Sequence, residues 1–266
     1  MTDTLRIALL VEGSSDTGIR RASTWLEEIW NGHLVPAVGR QPFEVVAPIS
    51  KKDLVAMDPS IVRSTGSEPL DMKLVRLGAG EKFDAAVVAW DLQPAWNDLG
   101  AFCRWAECVR LYELLSQSNV LPEPWRMQAA QRLSDYGQRA VPNARPTPPQ
   151  LRPGTVMPLC MDPEFESLLT ANEAATRRAL GLASTPSDWP GGWGPGGTRR
   201  PAEDVLRVAI ECVPGNSPIR RRIRGGWRQQ KSAWGEYLLR QLLAEDVGRQ
   251  SVVSHPISVR LSELGN

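Results

Sequence analysis

The segment Leu5–Asp16 places the strongest constraint on the fold. It begins as a nearly continuous apolar run, which is typical of a strand buried on both faces of a parallel sheet. The run ends at Glu12-Gly13, and the polar residues that follow can cap a helix, which the apolar spacing predicts over Thr17–Trp30. The sequence therefore predicts a strand, an acidic turn and a helix. Glu12 is placed at the carboxyl end of the strand, where open α/β sheets bind their ligands.

Predicted strands and helices alternate through the first two thirds of the chain. Further strands are predicted at Phe43–Ile49, Asp84–Trp90 and Thr155–Cys160. Helices are predicted over Asp71–Leu77, Gly100–Ser116 and Trp125–Arg139, and from a cap at Asp162 to about Leu180. This alternation predicts an α/β fold with a mostly parallel sheet flanked by helices.

The last third differs in composition. Residues 183–200 are rich in glycine, proline and tryptophan and predict a loop, whereas Pro201–Val213 and Lys231–Glu245 have helical spacing. The tail, Val252–Leu264, predicts a weak strand or an extended arm. We therefore expect an α/β domain over residues 1–182, a loop over 183–200, and a helical C-terminal extension over 201–266 that packs on the same domain.

Charge and composition limit the chemistry. The 266 residues carry a net charge of +1, so nucleic-acid binding would depend on a local basic surface. The chain has only two histidines, and its four cysteines lack zinc-ligand spacing, so we expect catalysis to depend on carboxylates. No run of about 20 apolar residues is present, and residues 1–4 lack signal-peptide features, so we expect a cytoplasmic protein without a membrane span.

Acidic residues follow three of the predicted strands. Besides Glu12, Asp91 follows the third strand, and Asp162, Glu164 and Glu166 follow the fourth. The carboxyl ends of parallel strands meet at one edge of a sheet, where such oxygen ligands suit Mg²⁺ or Mn²⁺. Because residues two apart do not share a helix face, we expect at most one of Glu164 and Glu166 to point inward, and we favour Glu164. Each acid also has a purely structural interpretation, as a turn or helix cap.

A basic segment lies near the C-terminus. It contains Arg220, Arg221, Arg222, Arg224 and Arg228. These arginines could bind nucleic-acid phosphates, with Trp227 available for stacking on a base. The alternative interpretation is a solvated surface, or a helix and loop held by internal ion pairs.

Three short motifs carry a resemblance to known proteins. Val-Glu-Gly-Ser-Ser-Asp at residues 11–16 and Val-Val-Ala-Trp-Asp at residues 87–91 resemble the motifs of a Toprim domain. That metal-binding fold is shared by topoisomerases, primases and nucleases of the overcoming-lysogenisation-defect class. Met-Asp-Pro-Glu-Phe-Glu-Ser-Leu-Leu at 161–169 further resembles small stand-alone Toprim-like bacterial proteins of uncharacterised function. The resemblance covers most of the chain, in order.

The resemblance implies a Toprim-like (Rossmann-like) fold and a Mg²⁺- or Mn²⁺-dependent nuclease. Glu12 and Asp91 would be catalytic and would bind the metal. Asp16, Asp98 or the cluster of Asp162, Glu164 and Glu166 would supply further metal ligands, and of these we favour Glu164 and Asp16. It also implies a setting in anti-phage defence beside a separate ATPase subunit. The chain departs from the family at Gln93, which stands where the second aspartate of an Asp-x-Asp motif is expected. An alternative is therefore a non-catalytic module that binds nucleic acid or a partner ATPase. An α/β phosphatase with Asp91 as nucleophile is a weaker alternative, because Asp-Leu-Gln lacks the second acid.

Overall fold

The computed structural model describes residues 6–13, 32–33, 44–50, 69–91, 106–137, 151–161, 164–184 and 202–263. The predicted helix over residues 17–30, together with Asp16, Gln93, Asp98 and Asp162, lies outside the described residues, as does most of the predicted loop over 183–200.

The sheet has four strands and is parallel throughout the described residues. The strands are β1 (Ile7–Gly13), β2 (Glu44–Ser50), β3 (Ala85–Asp91) and β4 (Val156–Met161). They lie in the order β2-β1-β3-β4, and every neighbouring pair is parallel. The prediction of an α/β fold with a parallel sheet is confirmed. From β1 the chain moves to one side of the sheet to form β2, and it then crosses to the other side of β1 to form β3 and β4. The strand order therefore reverses between β1 and β3.

The described helices fall into two groups along the chain. Those between the strands are α1 (Leu70–Leu77), α2 (Ala106–Ser116) and α3 (Glu123–Gly137). Those after the last strand are α4 (Glu166–Thr170), α5 (Glu173–Ala179), α6 (Ala202–Glu211), α7 (Pro218–Arg222), α8 (Trp227–Ala244), α9 (Asp246–Val253) and α10 (Pro256–Glu263). No helix in the described part of the chain is both long and apolar enough to cross a membrane.

Both faces of the sheet are covered, as the uninterrupted apolar runs predict. All side chains of Ala85–Trp90 are fully buried. Successive side chains of a strand point to opposite faces. Leu10 and Val88 accordingly pack with Leu74 of α1 and Leu111 of α2 on one face.

The other face of the sheet carries the C-terminal helices. Leu9, Val87 and Leu159 share a buried cluster with Leu206 of α6 and Trp234 of α8. Burial of each large apolar side chain contributes roughly 1.5–3 kcal/mol. The helices that follow β4 thus pack directly on the sheet, and they bring residues 202–263 to its surface.

The structure corrects two of the predicted elements. The helix expected to run to Leu180 is interrupted between α4 and α5, where the Asn172 side chain accepts a hydrogen bond from Ala175 N and begins a new helix. The tail is helical, so the prediction of a strand or extended arm is wrong. There, Pro256 occupies the first helical position of α10, and His255 Nδ1 accepts a hydrogen bond from Ile257 N.

Candidate functional site

The two acids of the predicted catalytic pair lie at the ends of neighbouring strands. Val11 of β1 pairs with Ala89 of β3, so Glu12 and Asp91 follow at the carboxyl ends of adjacent parallel strands. This is the point at which the strand order reverses, and open α/β sheets bind ligands in the crevice at such a point. The structure describes the backbone of Glu12 but not its side chain.

Asp91 connects the sheet to the segment after β4. Its Oδ1 accepts a hydrogen bond from the backbone N–H of Phe165 at 3.0 Å. Phe165 immediately precedes α4, so the carboxylate of Asp91 holds the start of that helix. A negative charge is favoured there by the orphan N–H groups of the first helical turn.

Glu164 lies beside Asp91 and is almost completely buried, with 3% of its surface exposed. Its Oε1 accepts a hydrogen bond from the backbone N–H of Glu203, in the first turn of α6, at 3.0 Å. Burial, followed by the negative charges of Glu166 and Asp91, raises the pKa of Glu164 to about 8, against the lowering effect of that hydrogen bond. Glu164 therefore binds a proton more tightly than an exposed glutamate does.

Glu166 is also 3% exposed, so the expectation that at most one of the two glutamates points inward is wrong. That expectation holds only if both residues lie in one helix. The helix instead begins at Glu166, and Glu164 precedes it in non-helical backbone. Helical spacing consequently does not separate the two side chains, and both belong to one acidic cluster.

Among the residues that the structure describes, Lys231 forms ion pairs with acids of this cluster. Lys231 Nζ lies 2.5 Å from Glu166 Oε1 and 3.4 Å from Glu203 Oε1. Glu203 Oε1 also accepts a hydrogen bond from Trp227 Nε1 at 3.2 Å, and Lys231 Nζ lies 5.9 Å from the centre of the Trp227 ring. Burial lowers the pKa of Lys231, but attraction to Glu166 and Glu203 outweighs burial and raises it, so the side chain is a cation.

The roles of Glu203, Lys231 and Trp227 at the site are not apparent from the sequence. Glu203 lies in the predicted helix Pro201–Val213 and Lys231 begins the predicted helix Lys231–Glu245, but neither residue stands next to a predicted strand end. They reach the acids because α6 and α8 pack on the sheet. One local feature points to Glu203: it is an acid in the first turn of α6, at the start of an amphipathic helix.

The five arginines of the basic segment have different surroundings. Arg220 donates to the backbone carbonyls of Ile210, Val213 and Gly225, and its guanidinium lies 5.4 Å from the centre of the Trp234 ring. It therefore stabilises the connection between α6 and α8. The other four are exposed, and none forms an ion pair with another described residue: Arg221, Arg222, Arg224 and Arg228.

Trp227 is 2% exposed, so the expectation that it is available to stack on a base is wrong. Its ring is buried with the C-terminal helices, and its indole N–H is directed to Glu203. Trp227 thus connects the basic segment, within which it lies, to the acidic cluster. The exposed arginines lie next to this connection along the chain.

The donor set is suited to a hard divalent cation. Among the described side chains, no three acidic, histidine or cysteine residues converge in an arrangement that would hold a metal alone. Asp91 and Glu164 supply two carboxyl groups, and Mg²⁺ usually takes one or two carboxylates and keeps several waters. Burial, and then repulsion from Glu166 and Asp91, raises the pKa of Glu164, and a cation would relieve the repulsion.

Comparisons of the chain with models of known protein families, with curated proteins and with solved structures found no match.

Proposed function

We propose that this chain is a Mg²⁺- or Mn²⁺-dependent phosphodiester hydrolase of the Toprim type, a nuclease. The observation that carries the proposal is the position of Asp91. It ends a buried strand at the reversal of strand order, beside Glu12 of the neighbouring strand, and a buried carboxyl group, Glu164, lies next to it. An acidic cluster at this position favours a ligand of positive charge.

In this proposal the cation would be held by Glu12, Asp91, Glu164 and Asp16. When bound, a divalent cation polarises a phosphodiester and stabilises the attacking and leaving oxygens. Glu12 would act as general acid or base. The four exposed arginines would bind phosphates of the nucleic acid and position its backbone, as arginine does through bidentate hydrogen bonds.

Cleavage of nucleic acid by purified protein tests this function. Supercoiled DNA, single-stranded DNA and RNA would each be incubated with protein and Mg²⁺ or Mn²⁺, with EDTA as the metal-free comparison. We expect Glu12→Gln and Asp91→Asn each to abolish cleavage, whereas Glu113→Gln should leave it unchanged, because Glu113 is exposed on α2, away from the acidic cluster. Unchanged cleavage by both site variants would contradict the proposal.

One observation favours a second candidate, a non-catalytic module that binds nucleic acid. Lys231 already supplies a cation to Glu166 and Glu203, while four exposed arginines form no ion pair with described residues. Such a module would retain nucleic acid in the presence of EDTA, and Arg221→Ala would weaken binding. Gel-shift titrations with and without EDTA separate the two candidate functions, because only the nuclease function requires the metal.

The proposed biological setting, anti-phage defence beside a separate ATPase subunit, is supported only by the sequence resemblance. The chain itself contains no Gly-x-x-x-x-Gly-Lys-Ser/Thr phosphate-binding motif. Any coupling to ATP through that motif would require a second protein. Co-purification with an ATPase encoded nearby is the measurement that tests this setting, and its absence would remove the partner from the proposal.

A further inference from the structure

The indole of Trp90 contains a buried hydrogen-bond donor that has no acceptor. Trp90 is the last apolar residue of β3, and its side chain is fully buried in the cluster that contains Leu10 of β1 and Leu111 of α2. Its Nε1 is inaccessible to water and donates to no atom of the described residues. A buried donor without an acceptor destabilises a fold, so such a group in a folded protein calls for a physical explanation.

A purely apolar side chain would avoid that cost at the same position. Ala86 and Val88 precede Trp90 on the same face of β3, and both are apolar and fully buried. Phenylalanine would bury a comparable ring without adding a donor, whereas a buried tryptophan usually finds a partner for its N–H. Because Trp90 stands at the last apolar position of the strand, its acceptor is expected near the carboxyl end of β3.

The pairing of the strands identifies the nearest residues that could supply this acceptor. On one side, Trp90 pairs with Cys160 of β4. On the other side, the pairing of β1 with β3 runs to Val11 and Ala89, so Glu12 and Trp90 are the next residues of the two strands. Neighbouring strands lie about 4.8 Å apart. Trp90 is therefore placed between a cysteine and a glutamate, at the point where the strand order reverses.

The two neighbouring residue types differ in their ability to accept a hydrogen bond. A thiol is a weak acceptor, whereas an ionised carboxylate accepts through two oxygens. An indole N–H only donates, so the carboxylate is its suitable partner. A hydrogen bond donated to a carboxylate stabilises its ionised form, and it is stronger than a bond between two neutral groups. The chemistry of the two strand ends thus favours a bond from Trp90 to Glu12.

We propose that the Trp90 indole N–H donates to the Glu12 carboxylate when a divalent cation occupies the site, which makes Trp90 a positioning residue for Glu12. This inference rests on the proposed metal-dependent function, and it specifies the form in which Glu12 acts. The indole N–H binds one carboxylate oxygen, and the other oxygen is left for the cation. Because the N–H stabilises the ionised form, Glu12 acts as a ligand or a general base, and not as a general acid.

Nuclear magnetic resonance of the indole N–H groups tests this hydrogen bond without measuring activity. The ¹⁵N-labelled chain would be titrated with Mg²⁺, and the Trp90 indole resonance would be assigned through the backbone of β3. We expect Mg²⁺ to shift the Trp90 indole proton downfield, and Glu12→Gln to remove that shift. The Trp125 indole is the internal reference, because Trp125 packs against Phe83, which precedes the opposite end of β3.

Calorimetric titration of Mg²⁺ into Trp90→Phe measures the contribution of the donor. The substitution keeps an aromatic ring and removes the N–H, so Mg²⁺ should bind about tenfold more weakly, as expected for a lost hydrogen bond to a charged group. Trp125→Phe removes a buried indole from the same cluster and should bind Mg²⁺ within about twofold of the unsubstituted chain, because it lies away from the site. A purely structural role of Trp90 would instead lower the midpoint of thermal unfolding and leave the Mg²⁺ affinity unchanged.

The outcomes separate the inference from the function on which it rests. If the chain binds Mg²⁺ but the Trp90 resonance does not move, or Trp90→Phe binds Mg²⁺ as tightly as the unsubstituted chain, the positioning role is refuted and the metal site stands. A shift that requires nucleic acid, and that Mg²⁺ alone does not cause, would refute Glu12 as the acceptor. If Mg²⁺ neither binds nor shifts the resonance, both the positioning role and the metal-dependent function are refuted. The resonance experiment uses the unsubstituted chain and Glu12→Gln, so it decides the question even if Trp90→Phe does not fold.

Discussion

Replacement of Glu164 with glutamine should remove a pH dependence from the stability of the fold. The side chain is 3% exposed, and burial together with Glu166 and Asp91 raises its pKa from 4.5 to about 8. A carboxyl group with a raised pKa binds a proton more tightly in the folded than in the unfolded state. Its contribution to stability is therefore fully present below pH 4.5 and is lost as the pH rises toward 8.

The magnitude follows from proton linkage. Between the unfolded and folded pKa values, the folded state binds one more proton, so the free energy of unfolding falls by about 1.4 kcal/mol per pH unit. From about pH 5 to about pH 7, the chain should lose about 2–3 kcal/mol relative to a variant in which residue 164 does not titrate. Glu164→Gln is that variant, since its amide oxygen can still accept the hydrogen bond from Glu203 N.

Urea unfolding followed by tryptophan fluorescence measures this difference. Both proteins would be unfolded at several pH values in a metal-free buffer, because a bound cation would itself lower the pKa of Glu164. The variant should resemble the unsubstituted chain near pH 5 and exceed it in stability near pH 7 and above. Glu113→Gln provides the control, since exposed Glu113 should not change the pH profile. If the difference between Glu164→Gln and the unsubstituted chain is the same at every pH, Glu164 titrates normally and the reasoning fails.

Three further predictions concern the strand end and the basic segment. Asp91→Asn should abolish Mg²⁺ binding in calorimetry, and retained binding would exclude Asp91 as a ligand. The same variant should change the free energy of unfolding by less than about 1 kcal/mol, because the amide oxygen can still accept a hydrogen bond from Phe165 N. Arg220→Ala should lower the free energy of unfolding by about 2–4 kcal/mol, because three backbone carbonyls lose their hydrogen-bond donor. Exposed Arg221→Ala should change the free energy of unfolding by less than about 0.5 kcal/mol. Equal effects of the two variants in urea unfolding would contradict the structural role of Arg220. If the four exposed arginines bind phosphates, the logarithm of the affinity for duplex DNA should fall with the logarithm of the salt concentration at a slope of about −3 to −4. Arg221→Ala should reduce the magnitude of that slope by about one. A binding affinity that does not change with salt in fluorescence anisotropy would remove the arginines from the proposal.

The strands that flank the site could be predicted from the sequence because their signal is local. Ala85–Trp90 reads as a continuous apolar run, and a run of that length between polar residues suits a strand that is buried on both faces. The acid that follows such a run is then assigned to a sheet edge by chain connectivity alone. Asp91 and Glu164 were identified in this way.

The tail could not be predicted correctly, because its residue types and its capping signals favour different structures. Val252, Val253 and Ile257 are β-branched, which favours a strand. Pro256 instead begins a helix, the His255 ring caps it, and Val252 and Ile257 are buried with the C-terminal helices. Tertiary burial and a local cap outweigh the intrinsic preference of the side chains.

The partners of the site were beyond prediction for a different reason. Glu203 reaches Glu164 across 39 residues of sequence, and Lys231 reaches Glu166 only because α8 packs on the same face of the sheet. No periodicity or spacing links such residues, since their proximity results from the packing of whole helices. A lysine at the start of a helix reads as a solvated charge until its neighbours are known.

Asp91 and Glu164 can be interpreted as helix caps or as ligands of a cation. The choice between these two roles depends on how much negative charge a helix cap requires. Asp91 and Glu164 each hold the start of a helix through one carboxyl oxygen, a role that asparagine or glutamine could fill without burying an ionisable group. The fold instead keeps acids at both positions and adds Glu166 and Glu203, although burial, and then repulsion from neighbouring acids, raises the pKa of Glu164. Departures from the most stable choice of residues concentrate at functional sites. We therefore propose that the acidic cluster binds a positively charged ligand, in addition to capping the two helices.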